Sequence, residues 1–397
     1  MPGALEGLRV LDLTQHLSGP YCAMVLADQG ADVIKIEKPG KGDDAREMPP
    51  FVGGEGAPFM LWNRNKRSVV LDLKAAEGVA TLEKLAAGAD VLIENFRPGT
   101  VDRLGIGYAR LAALNPRLIY CSISGFGQSG PYRSRGGFDL MIQAMSGLMS
   151  VNGDPDGPPM RLPIAISDVA GGLFGAVGIL AALAARERSG RGQQVDVSLY
   201  ESAVAFGVYE AAHYFATGKN PPRLGQAHRG SSPYQVFRTK DGWITVGGGT
   251  QEFWLRLCRL LGCEELARDA RFRDNASRVA HNAELVALLE TPLARETTAH
   301  WLAKLGEAGI PAGPVVDHAE LFADPQLRAR EMVVEVEHPS AGRMETLGVP
   351  IKLSETPGSV RTVAPEIGDD DDYVLGELLG LSRAHRDELI AAGILWA

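Results

Sequence analysis

The chain has 397 residues, 45% of them apolar, more than a single core of about 250–300 residues buries, so two structural domains are expected. A formal net charge of -9 excludes a general nucleic-acid binder, while leaving room for a small anion held by a local basic patch. Four cysteines (Cys22, Cys121, Cys258 and Cys263) form neither a CxxC pair nor a zinc pattern with a histidine, which fits thiols in a reducing compartment and no metal site.

Met1–Glu6 carries no signal-peptide pattern, and a cytoplasmic protein is expected. Leu8–Leu13 reads as a strand. Ser18–Gly30 suits a helix entered through Gly19-Pro20 and ended by Gly30. Ala31–Glu37 is the next strand, closed by Lys38-Pro39-Gly40, and Arg67–Leu73 a third. Ala75–Ala87 is helical with Gly88 as its cap, and Ala89–Phe96 and Arg117–Ser124 are further strands. These strands are continuous apolar runs, as in parallel sheets covered by helices on both faces. The fold class expected is α/β: a Rossmann-like doubly wound parallel sheet followed by a smaller α+β domain.

Phe138–Ser150 and Val169–Arg188 read as helices, Gln193–Ser198 as a strand and Leu199–Tyr214 as a helix. The apolar stretch Val169–Ala185 carries four glycines and falls short of the ~20 residues a membrane span needs, so no membrane partner is expected. Lys219–Pro233, rich in Pro, Gly and Ser, marks a domain boundary. Tyr234–Gly248 reads as two strands joined at Lys240-Asp241-Gly242, helices follow to about Leu305, and Asp369–Asp372 reads as a solvated loop before the last helix. The division expected is 1–224 as the large domain, 225–330 as the small one, and 331–397 as a linker and a segment returning to the large domain.

One GxGxxG, Gly125–Gly130, follows a strand, but Pro131 and a loop come next where a dinucleotide site needs a helix. Glu37 matches the position of a ribose-binding acid, and alone it is too little to place NAD here. Gly247–Gly249 lies between a strand and a helix, as a turn or as the border of a ligand site. Basic residues cluster after the first strands: Lys35, Lys38, Lys41, Arg64, Lys66, Arg67, Lys74, Arg97 and Arg103. They point to a phosphate-rich ligand, or to ordinary surface charge.

Asp168 opens a helix on whose wheel Gly171, Gly175, Gly178 and Ala182 form one stripe and Leu173, Val177, Leu180 and Ala184 the opposite one. Each glycine inside a helix costs about 1 kcal/mol against alanine, so something approaches that face closely. Two readings stand. Ser167 or Asp168 caps the helix and the glycines permit tight packing. Alternatively, the helix dipole keeps Asp168 ionised, ready to attack an acyl thioester, and the glycines leave room for substrate and for N–H groups facing an oxyanion.

Several strings taken together resemble the class III CoA-transferases, the family of formyl-CoA transferase and carnitine CoA-transferase: LEGLRVLDLT, SGP, GADVIKIEKPG, NRNKRSVVLDLK, ENFRPGTVDRLG, NPRLIYCSISGFGQSGPY, DGPPMRLPIAISDVAGG, SGRGQQVDVSLYES and GIPAGPVVD. They occur in the family's order from residue 5 to about 357. The resemblance implies a Rossmann-like domain, a small domain and an interlocked-ring homodimer. It implies a CoA-transferase that moves CoA from a donor such as succinyl-CoA to a small carboxylic acid, with coenzyme A entering as acyl-CoA substrate and with no metal and no NAD. Asp168, in AISDVAGG, matches the family's nucleophile, which passes through a mixed anhydride and an enzyme-CoA thioester. The CoA contacts it implies are Leu17, Ser18, Lys38, Leu71, Asp72, Leu73, Lys74, Asn95, Phe96, Arg97, Arg103, Gly136, Gly137, Phe138 and Asp139. Gln15, His16 and His228 are candidates to meet the substrate, and N–H groups of Gln15–Ser18 to meet the oxyanion.

Two departures bear on the reaction. Where formyl-CoA transferase has a long glycine run, this chain is shorter and reads GQAHRGSSPYQVF, which argues against oxalate as acceptor. The related α-methylacyl-CoA racemases place a histidine base before an aspartate, and here Phe138 precedes Asp139. Phenylalanine cannot carry a proton, which argues against two-base racemisation. An acyl-CoA isomerase or racemase, or a CoA-binding protein without turnover, are the alternatives.

Overall fold

Six parallel strands form one sheet: β1 (Arg9–Asp12), β2 (Asp32–Glu37), β3 (Lys66–Val70), β4 (Val91–Glu94), β5 (Ile119–Ser124) and β6 (Gln194–Ser198), in the order β3-β2-β1-β4-β5-β6. The computed structural model describes residues 2–395; Met1, Trp396 and Ala397 lie outside them. β4 and β5 are buried along their whole length, because both faces of the sheet are covered. On one face lie Leu82 and Leu85 of α2 (Ala76–Ala87), with Val374, Leu375 and Leu389 from the C-terminal segment. On the other lie Cys22 and Leu26 of α1 (Ser18–Asp28), and Ala176, Ile179 and Ala182 of a long helix, Ile166–Ser189.

Contacts divide the chain into two compact units. The first comprises Met1–Leu148, Arg161–Ala211 and Pro325–Ala397, and the second Met149–Met160 and Ala212–Asp324. The second carries a three-stranded antiparallel sheet with Trp243–Gly247 between Tyr234–Arg238 and Ala312–Pro314. Helices cover it through Phe237, Trp254, Leu289 and Leu305. Arg278, fully buried, donates to the carbonyls of Ser232 (2.7 Å) and Gly249 (3.0 Å) and fixes the turn after the second strand. A Cβ on Gly248 would meet the Pro233 ring at 3.0 Å, so this part of the glycine tract packs against the preceding turn.

Four local expectations change. The helix expected over Phe138–Ser150 breaks at Gly147 (φ 87°) into α3 (Asp139–Met145) and a short turn, Leu148–Val151. Leu199–Tyr214 divides at Gly207 into Leu199–Phe206 and Val208–Thr217. The helix Ile166–Ser189, α4, has 24 residues and is long and apolar enough to cross a membrane by length and composition, extending beyond the apolar stretch Val169–Ala185 on which no span is expected. Its glycine side lies in the core: a Cβ on Gly171 would come 2.5 Å from Leu199, on Gly175 3.0 Å from Ile123, and on Gly178 2.7 Å from Val195. Asp369–Asp372 is not simply solvated. Asp370 accepts from Ser68 N–H (2.9 Å) and pairs with Arg67 (3.1 Å), and a wide helix, Asp372–Leu378, then buries Val374 and Leu375.

Candidate active site

The strand order reverses at β1 and β4, and the loops leaving their carboxyl ends diverge there, where open α/β sheets bind ligands. The two loops are tied together. Gln15 N–H donates to Asn95 Oδ1 (2.9 Å), and Asn95 Nδ2 donates to Gln15 O (2.7 Å). A cleft of about 450 Å³ opens beside them, lined by Gln15, Lys38, Leu71, Asp72, Leu73, Lys74 and Phe96 among others. A second cleft of about 650 Å³ shares Leu73, Lys74 and Leu104 with it and adds Arg103 and Arg110. Lys74 and Arg103 are exposed there. Lys38 pairs with Asp44 at the mouth of the first cleft.

Leu17, Ser18, Arg97 and Gly136 to Asp139, also expected as contacts, line neither cleft. A Cβ on Gly136 would lie 3.5 Å from the exposed Arg97 guanidinium, so the loops after β4 and β5 meet there. Gly137 packs on Gly125, where a Cβ would come within 2.9 Å of the opposing Cα. Gly127 (φ 87°) and Gly130 (φ 81°) turn the GxGxxG segment into loop, and no helix follows until Asp139. Phe138 is 60% exposed. Asp139 is buried and faces protein: its carboxylate accepts from Ser167 N–H (3.1 Å), Ser167 Oγ (2.6 Å) and Gln143 Nε2 (2.8 Å). It braces the first turn of α4.

Asp168 stands in that first turn, partly buried, and no hydrogen bond holds its carboxyl among the described residues. Burial, with the Asp139 charge, pushes it up to about 7. This upward shift runs against a carboxyl held ionised at neutral pH by the helix dipole. One turn on, Gly172 meets the first turn of α1: a Cβ there would sit 2.6 Å from Ser18 O and 3.2 Å from Cys22 N. A side chain at 172 would drive apart the helix of Asp168 and the loop carrying Leu17 and Ser18. Among the described residues, the N–H groups of Leu17, Ser18 and Gly19 have no acceptor; the first internal bond of α1 runs from Tyr21 N–H to Leu17 O (2.8 Å).

Beneath the loop lies a buried charge cluster, so Lys35 and Lys66 are neither phosphate contacts nor surface charges. Lys66 contacts Asp12 (2.9 Å), Pro20 O (2.9 Å) and Asn63 Oδ1 (2.7 Å). Lys35 reaches Asp43 (2.8 Å), Asp12 (3.9 Å) and Thr14 O (2.8 Å). Burial opposes the Asp12 carboxylate, yet the Lys35 and Lys66 charges hold it down at about 2, while burial pulls Lys66 down to about 8. Arg64 pairs with Asp28 (2.7 Å), Arg67 with Asp32 (3.0 Å) and Lys41 with Glu47 (2.7 Å). Of the basic cluster, Lys38, Lys74 and Arg103 line the cleft system, and Arg97 stands exposed beside Gly136. Glu37 is saturated by Arg46 (2.7 Å), Ser68 (2.6 Å) and Asp43 N–H (2.8 Å), which leaves it no free edge for a ribose. His228 belongs to the second unit, edge-on to Tyr234 at 5.1 Å, beside a hollow of about 580 Å³.

Asp43 is the residue the sequence missed. A lysine inside the apolar run Asp32–Glu37 demands a buried acid, and Asp43 is the nearest carboxylate after that strand's turn apart from Glu37 itself.

The model of the family described as CoA-transferase family III matches residues 5–371. Succinyl-CoA:glutarate CoA-transferase of Mus musculus is 39% identical over 392 residues, 98% of this chain and 90% of that protein. Acetyl-CoA:oxalate CoA-transferase of Acetobacter aceti is 44% identical over 353 residues, 89% of this chain and 90% of that protein. The crystal structure of a CAIB/BAIF family protein from Brucella suis superposes with a TM-score of 0.86 at 39% identity, over 95% of this chain and 100% of that one.

Proposed function

This chain belongs to CoA-transferase family III and transfers CoA between an acyl-CoA and a carboxylic acid, and on that premise we propose that Asp168 is its nucleophile, with succinyl-CoA as donor and a small dicarboxylic acid as acceptor. The observation that carries the assignment is the setting of Asp168: a carboxyl without a hydrogen-bond partner among the described residues, one helical turn from the contact between Gly172 and Ser18.

The steps balance without an external redox agent. Asp168 attacks the thioester carbonyl, the C–S bond breaks, and CoA thiolate leaves a mixed anhydride. The thiolate then attacks the aspartyl carbonyl, releasing the donor acid and forming an aspartyl-CoA thioester. The acceptor carboxylate attacks that thioester, giving a second mixed anhydride and free thiolate. The thiolate takes the acceptor's acyl carbon and returns the Asp168 carboxylate. The N–H groups of Leu17 and Ser18 are suited to each oxyanion. Lys38, Lys74 and Arg103 suit the phosphates, and the apolar walls Leu71, Leu73 and Phe96 the pantetheine arm.

The strand order β3-β2-β1-β4-β5-β6 supports a Rossmann-like reading of the large unit. The exposed stripe of α4, Leu173 (40%), Phe174 (41%), Val177 (61%) and Leu180 (41%), supports a homodimer, since apolar faces of this kind mark interfaces. Phe138, in place of a base, weighs against racemisation. Relatives named for glutarate and for oxalate set the first acceptors to try. The test is transfer from succinyl-CoA to glutarate and to oxalate by wild type and Asp168→Asn. Transfer by wild type that Asp168→Asn lacks supports the reading; equal turnover by both overturns it.

A further inference from the structure

We propose that Gly393 is a positioning residue for acyl-CoA binding: its left-handed backbone turns the chain out of the last helix so that the Ile394 carbonyl holds the Asp72 N–H, and this contact fixes the turn that presents Lys74 to the two clefts. The inference rests on the reading of those clefts as the acyl-CoA site.

The last helix, Arg383–Ala391, ends in a turn closed by two bonds. Gly393 N–H donates to Ile390 O (2.9 Å), and Ile394 N–H donates to Leu389 O (2.9 Å). This pair of bonds is a Schellman cap, which requires a left-handed residue between the helix and the returning chain. Gly393 supplies it at φ 71°. Nothing would lie within 4 Å of a Cβ at 393, so backbone conformation alone asks for glycine there. The turn sends the chain back into the core. Ile394 and Leu395 are buried in the same cluster as Leu389 and Leu71.

The carbonyl of Ile394 then accepts from Asp72 N–H (3.0 Å), in the loop between β3 and α2. Asp72 organises that loop. Its carboxylate accepts from Lys74 N–H (2.9 Å), and its carbonyl accepts from Ala75 N–H (3.1 Å). Two of these three bonds are local, and the third comes from the far end of the chain. Leu71, Asp72, Leu73 and Lys74 line the cleft of about 450 Å³, and Leu73 and Lys74 also line the one of about 650 Å³. A long cationic side chain binds an anion better when the backbone beneath it is already held, because less freedom is lost on binding. The cap at Gly393 therefore acts on the cleft through Asp72 and Lys74, and touches no ligand itself.

Asparagine tolerates left-handed backbone, whereas valine, branched at Cβ, resists it. The experiment is initial-rate transfer to glutarate over a range of succinyl-CoA concentrations by wild type, Gly393→Asn, Gly393→Val, Lys74→Ala and Gly393→Val/Lys74→Ala, with thermal midpoints recorded for each. Gly393→Asn is expected within about twofold of wild type in KM for succinyl-CoA, and Gly393→Val about fivefold higher, both with kcat nearly unchanged. Because the effect runs through Lys74, adding Gly393→Val to Lys74→Ala is expected to raise KM by less than about twofold more. If Gly393→Val does not fold, Gly393→Ala, a milder strain, is read in the same way with an expected rise of about threefold. An unchanged KM in the strained variant, an equal rise with asparagine, or a full rise on top of Lys74→Ala overturns the inference and leaves the reading of the clefts intact. A Lys74→Ala enzyme with the KM of wild type overturns that reading, and this inference with it.

Discussion

Ser167 gives both its backbone N–H and its hydroxyl to one carboxylate oxygen of Asp139, at 3.1 and 2.6 Å, and so plants a second carboxylate beside Asp168. Burial raises Asp168 and the Asp139 charge adds to it, to about 7. The proposed attack by Asp168 needs the ionised form. The rate constant kcat/KM for the acyl-CoA therefore rises with pH through about 7, reporting the free enzyme. Asp139→Asn, which keeps an acceptor for Ser167, removes the charge and moves that acid limb to lower pH. A pH–rate profile of both enzymes checks the direction.

The same shift sets a stability trend. Asp168 has a folded pKa above its ordinary 3.8, so its protonated form is the one the fold favours. The stability this group contributes is present below about pH 4 and lost as pH rises through about 7. Asp168→Asn is neutral throughout, and is expected to exceed wild type by about 2 kcal/mol at pH 8 and to match it at pH 4. Urea unfolding at the two pH values measures the difference.

Gly172 stands where α4 crosses the first turn of α1. Alanine there puts a Cβ 2.6 Å from the Ser18 carbonyl oxygen, a backbone atom that does not yield cheaply. Gly172→Ala is expected to cost about 1–3 kcal/mol of stability and to lower kcat, since Ser18 and Asp168 are pushed apart together. Gly190, a left-handed cap with open space around it, serves as the comparison: Gly190→Ala costs about 1 kcal/mol and leaves kcat unchanged.

Much of this was legible in the sequence. Leu8–Leu13, Ala31–Glu37 and Arg117–Ser124 are apolar without alternation because both sheet faces are covered, so strands and their parallel pairing followed directly. The glycine stripe of α4 showed that something comes close. It did not show that the neighbours are Leu199, Ile123 and Val195 on its flank and Ser18 across the helix crossing, because that depends on chain segments distant in sequence. Lys35 and Lys66 look like phosphate ligands when counted as charges. Their strand positions place them inside, where the carboxylates of Asp12 and Asp43 balance their charge. Gly147 and Gly207 interrupt helices whose apolar pattern runs straight through them.

Lys74 and Arg103 line the second cleft as exposed cations, and phosphate contacts of this kind act on binding more than on chemistry. Lys74→Ala and Arg103→Ala are each expected to raise KM for succinyl-CoA by about tenfold with kcat nearly unchanged. Initial rates over a range of succinyl-CoA concentrations resolve the two constants.

Val177, 61% exposed in the middle of the α4 stripe, is the position to probe self-association. Arginine there places a charge in the proposed interface without touching the buried glycine side. Val177→Arg is expected to elute as a monomer where wild type elutes as a dimer, and light scattering on a sizing column distinguishes them.

The central claim is that Asp168 becomes covalently acylated, and trapping tests it most directly. The enzyme is mixed with succinyl-CoA and then hydroxylamine, which converts an aspartyl thioester or anhydride into a hydroxamate, and the digest is mapped by mass spectrometry. The account predicts a hydroxamate on Asp168 that appears only with the acyl-CoA present. An enzyme that transfers CoA at full rate while Asp168 stays unmodified, or carries the label on another carboxylate, would contradict it.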